Sequence, residues 1–378
     1  MPRPALADRI REPGPKRLLA LDGGGVRGLL TIGYLDRIEQ MLKARAGRED
    51  FVLADYFDLI GGTSTGAIIA TMLALGFPVS RIRDLYLTLG REAFRPRRNW
   101  LHPIAKVLKA RFDAAPLERL LRHELSDRTL GSPDIQVGLM IVAKRADTGS
   151  VWQLVNSPDQ VFYAKNKDIP LWEVVRSSTA APTYFDPQAI RDVGEGEEAI
   201  FVDGGVSMHN DPALALLMAA TLKGFGFRWP MGEDNILVCS AGTGSFFKLP
   251  RKDALRTYNN LQWVALLISQ LLNDASELNQ TVLQWLGTSP TPQMIDRQIG
   301  DLSEDRPAGK GLLTYLRYDI PLEPSALAAV GLPFDAEHSQ RLWEMSDVRN
   351  LADLKAVGEA AARAQVKEEH FPPRFDRK

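Results

Sequence analysis

Two stretches near the start of the chain share one pattern: an apolar run stops at glycines, and residues with helical spacing follow. In the first, "RLLALD" at residues 17 to 22 leads into Gly23, Gly24 and Gly25, after which Leu35, Ile38 and Leu42 fall on one helical face. In the second, "FDLIGG" is followed by "TSTG" and then "AIIATMLALG", a helix expected to end at Gly76. Each reads as strand, tight turn, helix. Further strands are predicted at "VGLMIVAK", "VWQLVN", "AIFVD" and "NILVCSAG". Apolar runs that do not alternate with polar residues suit strands buried on both faces, so the expected fold is α/β with helices on either side of a sheet. A last amphipathic face, Leu351, Leu354, Val357 and Ala361, predicts a helix docked on that core.

Composition narrows the picture. A chain of 378 residues, 45% hydrophobic, can bury a substantial core as one large domain or two ordinary ones. After about residue 245 polar and charged residues thicken, which predicts a mostly helical C-terminal region. Lys plus Arg number 46 against 47 Asp plus Glu, so no global charge calls for a nucleic-acid partner. The single cysteine, Cys239, excludes an intrachain disulfide framework and fits a reducing compartment; inside an apolar strand it reads as inert. Five scattered histidines without cysteine pairs give no metal pattern. The N-terminus has no apolar leader core, and no run of about 18 apolar residues follows, so a cytoplasmic chain that does not span the membrane is expected. Local charge is another matter. Residues 91 to 111 hold five Arg and two Lys against one Glu, with Phe94 and Trp100 interleaved. That is either a contact for anionic lipid headgroups, each basic residue contributing about 1 kcal/mol near such a surface, or a solvated helical insertion.

The sharpest chemical signal is "GTSTG", Gly62 to Gly66, which matches the G-x-S-x-G nucleophile elbow. A serine on a sharp strand-to-helix turn is pushed out of the chain, and only very small residues two positions either side avoid collision. Ser64 then sits at a helix N-terminus, where amides and the helix dipole favour developing negative charge. The alternative is a structural glycine turn. A phosphate-binding P-loop is disfavoured because Ala67 stands where its lysine would be. A serine nucleophile needs a base and donors for an oxyanion. "AIFVDGGVSMHNDP" offers Asp203 at the carboxyl end of a strand, where open α/β sheets place their sites, although a loop-capping aspartate would look the same. Of the histidines after Ser64 only His209 lies in a strand-end loop, where it serves as base, modulates Asp203 or, the favoured reading, is structural or peripheral. "GGGVRG" also fits a dinucleotide loop, but Leu42 and Lys43 occupy the position of the expected ribose-binding acid. A nucleotide- or phosphate-binding module and a non-catalytic interaction protein therefore stand as alternatives.

In combination, "DGGGVRG", "GTSTG", "SSTAAPTYF" from Ser177 to Phe185, and "DGG" resemble the patatin-like phospholipase family over roughly the first 220 residues. The resemblance implies a three-layer α/β/α sandwich with a mainly parallel central sheet. It divides the chain into a catalytic domain, 15–220, and a C-terminal extension packed on it, 221–378. It implies a Ser-Asp dyad in which Ser64 attacks a lipid ester and Asp203 is the base, with no cofactor or metal. Gly62, Gly66, Gly204 and Gly205 would shape the elbow and the DGG turn. An oxyanion hole would come from Gly23, Gly24, Gly25 and Gly28, with Arg27 holding the loop or the charge. The substrate would be membrane phospholipid, met peripherally at the inner membrane surface, and some bacterial relatives are antiviral effectors switched on by cyclic nucleotides, so a small nucleotide activator is a candidate partner. Where relatives commonly carry Asn-Asn-Pro after the DGG, this chain has His209, Asn210, Asp211 and Pro212. "CSAGTGS", Cys239 to Ser245, resembles a turn near the family's active site or is simply structural.

Overall fold

The computed structural model describes residues 5–94, 110–193, 197–246, 252–307 and 309–377. One sheet organises them. Its strands are β1 (Lys16–Leu21), β2 (Leu59–Thr63), β3 (Gly138–Arg145), β4 (Val151–Val155), β5 (Gln188–Val193), β6 (Glu197–Asp203), β7 (Ile236–Ala241) and β8 (Thr314–Tyr318). The order is β5-β6-β3-β2-β1-β7-β8, with β4 on β3. The centre is parallel, β3-β2-β1-β7-β8, and the β4, β5 and β6 pairings are antiparallel.

The helices used below are α1 (Gly28–Ala46), α2 (Thr65–Ala74), α3 (Val79–Ala93), α4 (Ala115–Leu125), α5 (Leu171–Ser178), α6 (Ala213–Thr221), α7 (Asn260–Leu286) and α8 (Leu351–Gln365). Side chains alternate across the strands and feed two cores. Leu19, Leu21, Ile60, Leu139 and Ile141 join α1, α2, α3 and α8 in one. Leu18, Ala20, Leu59, Met140 and Val142 join α6 and Leu283 of α7 in the other. Burial of both faces makes three layers, as expected, and accounts for the continuous apolar runs.

The region after residue 220 carries α7, α8 and shorter helices, and it also supplies β7 and β8; β7 pairs along the whole of β1 from Lys16 to Leu21. α8 docks through the expected face, with Leu354, Val357 and Ala361 fully buried. It crosses α1 where Gly33 meets Gly358; a Cβ on Gly33 would lie 2.4 Å from the Gly358 carbonyl carbon. Of the basic segment 91–111, residues 95–109, Trp100 among them, lie outside the described residues.

Candidate active site

Strand register brings Ser64 and Asp203 together. Residues 143–144 of β3 pair with both β4 and β6, and residues 140–142 pair with both β4 and β2, so β2 and β6 share one edge of β3. They approach each other along it. Thr63, the last residue of β2, sits opposite Val142, and Asp203, the last residue of β6, sits opposite Ala143. Two strands far apart in sequence thus end at consecutive positions of a third.

Ser64 follows Thr63 at φ 55 and ψ −122, and α2 begins at Thr65. A non-glycine residue in this region is strained by about 1 to 3 kcal/mol and stays there only when its surroundings hold it. They do. A Cβ on Gly62 would lie 2.2 Å from the Gly66 carbonyl oxygen, and one on Gly66 the same distance from that of Leu21, so both flanking glycines are required by close approach. The Ser64 amide donates to Ser178 Oγ at 2.8 Å, and Ser178 Oγ donates to the Val142 carbonyl at 2.5 Å. Ser64 Oγ donates to Asp203 Oδ2 at 2.5 Å.

Asp203 is 4% exposed. Its Oδ1 accepts from the Gly205 amide at 2.7 Å, and Gly204 packs against the Val142 carbonyl so closely that a Cβ there would lie 2.3 Å away. Burial pushes its pKa up to about 6, against the opposing pull of the Ser64 hydroxyl, the Gly205 amide and the buried Arg176. An acid with that affinity is ionised at neutral pH yet remains a better proton acceptor than an ordinary aspartate.

The glycine loop lies against the nucleophile, with the Gly23 Cβ position 3.1 Å from Ser64 Cβ. The Gly24 amide donates to Thr65 Oγ1 at 3.1 Å, the side chain next after Ser64. The amides of Gly23, Val26 and Arg27 donate inside the protein, to Asn210 O at 3.1 Å, Met345 O at 2.8 Å and Gly24 O at 3.2 Å. Gly25 has φ +59 and sits under the Met345 carbonyl, while its own carbonyl accepts from Tyr86 Oη. Gly28 starts α1, where a Cβ would strike Tyr86. Arg27, 7% exposed, donates to Gly24 O at 3.4 Å and Gly244 O at 3.3 Å and lies over the Phe246 ring. It braces the loop.

His209 meets the elbow through its backbone: Thr63 Oγ1 donates to the His209 carbonyl at 2.6 Å. Its ring Nδ1 is buried without a hydrogen-bond partner, and burial lowers its pKa. Cys239 is fully buried in β7, where burial pushes the thiol far above its ordinary range, so it is no second nucleophile. The "CSAGTGS" turn does reach the site, since Thr243 Oγ1 donates to Gly23 O at 3.0 Å. Sequence reasoning passed over Ser178 as an individual residue, although it lies in the quoted "SSTAAPTYF". It missed Asn210, Met345 and Arg317 as neighbours of the glycine loop, for which only the spatial arrangement gives a signal.

The profile of the patatin-like phospholipase family matches residues 19–217. Patatin-17 of Solanum cardiophyllum is 27% identical over 291 residues, 70% of this chain and 70% of its own. A cGAMP-activated phospholipase of Escherichia coli (strain TW11681) is 31% identical over 204 residues, 53% of this chain and 55% of its own. Another protein of that description, from Vibrio cholerae, is 29% identical over 230 residues, 57% of this chain and 60% of its own. The chain thus spans little more than half the length of these two bacterial relatives.

Proposed function

This chain belongs to the patatin-like phospholipase family of lipid acyl hydrolases, and from that premise we propose that it cleaves phospholipid esters through an acyl-Ser64 intermediate with Asp203 as the base. The observation that carries the proposal is the direct hydrogen bond from Ser64 Oγ to Asp203 Oδ2. As Ser64 Oγ bonds to the ester carbonyl carbon, its proton passes to Asp203, and the carbonyl oxygen becomes an oxyanion. Collapse expels the alcohol, which takes that proton from Asp203. Asp203 then accepts a proton from water as the water attacks the acyl-enzyme, and returns it to Ser64 Oγ when the fatty acid leaves. Carboxylate bases are weak toward a hydroxyl, so oxyanion stabilisation must carry much of the rate; one such donor is typically worth about 100- to 1000-fold. In this reading the donors come from the glycine loop, which the bond from the Gly24 amide to Thr65 Oγ1 holds beside the nucleophile. A glycine loop serving as a phosphate cradle is less favoured, because the Asp203 carboxylate bonded to Ser64 beside it would repel a bound phosphate.

In this reading the enzyme meets its phospholipid substrate at the membrane surface; among the described residues no helix is long and apolar enough to cross a bilayer. Val206 and Met208, exposed just after the DGG turn, put apolar side chains beside the site. A cyclic dinucleotide activator is a second element of the proposal, supported by the two bacterial relatives that are cGAMP-activated.

The test is fatty-acid release from mixed phospholipid vesicles, with and without cGAMP. Ser64→Ala and Asp203→Ala are expected to be silent where the wild type turns over, and His209→Ala, folded, to remain near normal. Persistent release by Ser64→Ala would overturn the mechanism; loss by His209→Ala equal to that of Ser64→Ala would replace the dyad with a triad.

A further inference from the structure

Arg317 stands on β8, outside the span matched by the family profile, and is 6% exposed. Its register partner on β7 is Ser240, which in turn pairs with Ala20 of β1. The guanidinium reaches across β7. Nη1 and Nη2 donate to the two oxygens of Asp22 at 3.1 and 2.8 Å, a bidentate pair. Nη1 also donates to Ser240 Oγ at 2.7 Å and to Asp211 Oδ2 at 3.4 Å, and Nη2 to Asp319 Oδ2 at 3.3 Å.

Two of these partners stand at the ends of the loops that carry the chemistry. Asp22 is the residue from which the glycine loop departs. Asp211 closes the loop that opens at Asp203, and its neighbour Asn210 is the residue whose carbonyl receives the Gly23 amide and whose Nδ2 donates to Gly23 O. The third, Asp319, accepts from the Gly244 amide at 2.8 Å, and Gly244 O in turn accepts from Arg27, the brace of the glycine loop. A single guanidinium therefore fixes the spacing between the oxyanion loop, the base loop and the Arg27 brace. Burial works against its charge, but Asp22, Asp211 and Asp319 together hold its proton affinity well above the ordinary arginine value. Three carboxylates around one cation are expensive to bury, and hydrophobic packing would hold β8 more cheaply. What a lysine or an apolar side chain cannot supply is the forked geometry that ties two loops at once.

We propose that Arg317 is a positioning residue for catalysis, setting the distance between the Gly23–Gly25 loop and the Asp203–Asp211 loop so that the oxyanion donors and the base address Ser64 together. The proposal rests on the assignment of Ser64 and Asp203 made above. Asp22 acquires a role through it, as the anchor of the glycine loop.

The test uses full-length Arg317→Lys and Asp22→Asn with a soluble probe, p-nitrophenyl butyrate, in the presence of cGAMP at the level used for the wild type. Reactive sites are counted by labelling with an alkyl fluorophosphonate, and folding is followed by thermal melting. The expected result is a fall in kcat per labelled site of about 10- to 100-fold, the scale of an ångström-sized misplacement, with KM within about twofold and slower phosphonylation. If Arg317→Lys does not fold, Asp22→Asn, which keeps the shape but accepts only one of the two hydrogen bonds, decides. A lower melting temperature with wild-type kcat per labelled site in the variants that fold would show a purely structural role and overturn the proposal. Ser64→Ala, run in parallel, separates the two levels: turnover by that variant would remove the site assignment and this inference with it. A silent Ser64→Ala beside wild-type kcat in Asp22→Asn would remove the inference alone.

Discussion

In the proposed mechanism Asp203 carries a conflict between stability and activity. Its folded-state pKa is raised from 3.8 to about 6, chiefly by burial. A raised acid pKa means the folded protein binds the proton more tightly than the unfolded chain, so stability declines as pH rises from about 4 to about 6 and stays lower above that. At 1.36 kcal/mol per unit, the cost of holding the buried charge at neutral pH is at most about 3 kcal/mol. Asp203→Asn should therefore melt at or above the wild-type temperature at pH 8, with the difference shrinking toward pH 4, while turnover is lost. The same ionisation gives kcat/KM an acid limb, expected with an apparent pKa near 6, since only the carboxylate can accept the serine proton. A wild type whose rate is flat from pH 5 to 8 would separate Asp203 from the base role. Ser64 and Asp203 were both legible as residues, because each follows an apolar run and is joined by glycines. Their contact was not, because it depends on a strand register that no local pattern encodes.

Among the elements, the ends of β2 and β6 at consecutive positions of β3 decide the geometry. Ser178, the last residue of α5, stitches them: it receives the Ser64 amide and donates to Val142 of β3. Ser178→Ala leaves a buried donor and acceptor unpaired, a cost of about 1 to 3 kcal/mol. It also frees a strained turn, so thermal melting should show lower stability and kcat should fall by about tenfold or more. Unchanged kcat with lowered stability would mean that the flanking glycines alone set the elbow. β1, β2, β3, β4, β6 and β7 could be read from apolar runs. β5 and β8 could not, because charged residues interrupt them: Arg191 and Asp192 in one, Arg317 in the other. The Arg317 charge makes sense only once Asp22, 295 residues earlier, is its neighbour.

At the scale of the whole molecule, the site is assembled from nearly the full length of the chain. Asp22 and Ser64 come from its first fifth, Asp203 and Asn210 from its middle, and Thr243, Arg317 and Met345 from the region beyond the family profile. The division into a catalytic part and an extension follows the motifs, but the sheet and the glycine loop both cross it, since β7 lies beside β1 and the Met345 carbonyl holds the Val26 amide. The three-layer fold was legible because burial on both faces leaves a mark in every central strand. The contribution of residues after 220 to the site was not, because packing at a distance leaves none. The most direct measurement of the central claim is reaction of the full-length protein with an alkyl fluorophosphonate followed by peptide mass mapping. One adduct on Ser64, formed at a rate that rises with pH through about 6 and absent from Ser64→Ala, is the predicted result. Labelling of another residue, or undiminished ester hydrolysis by Ser64→Ala, would contradict it.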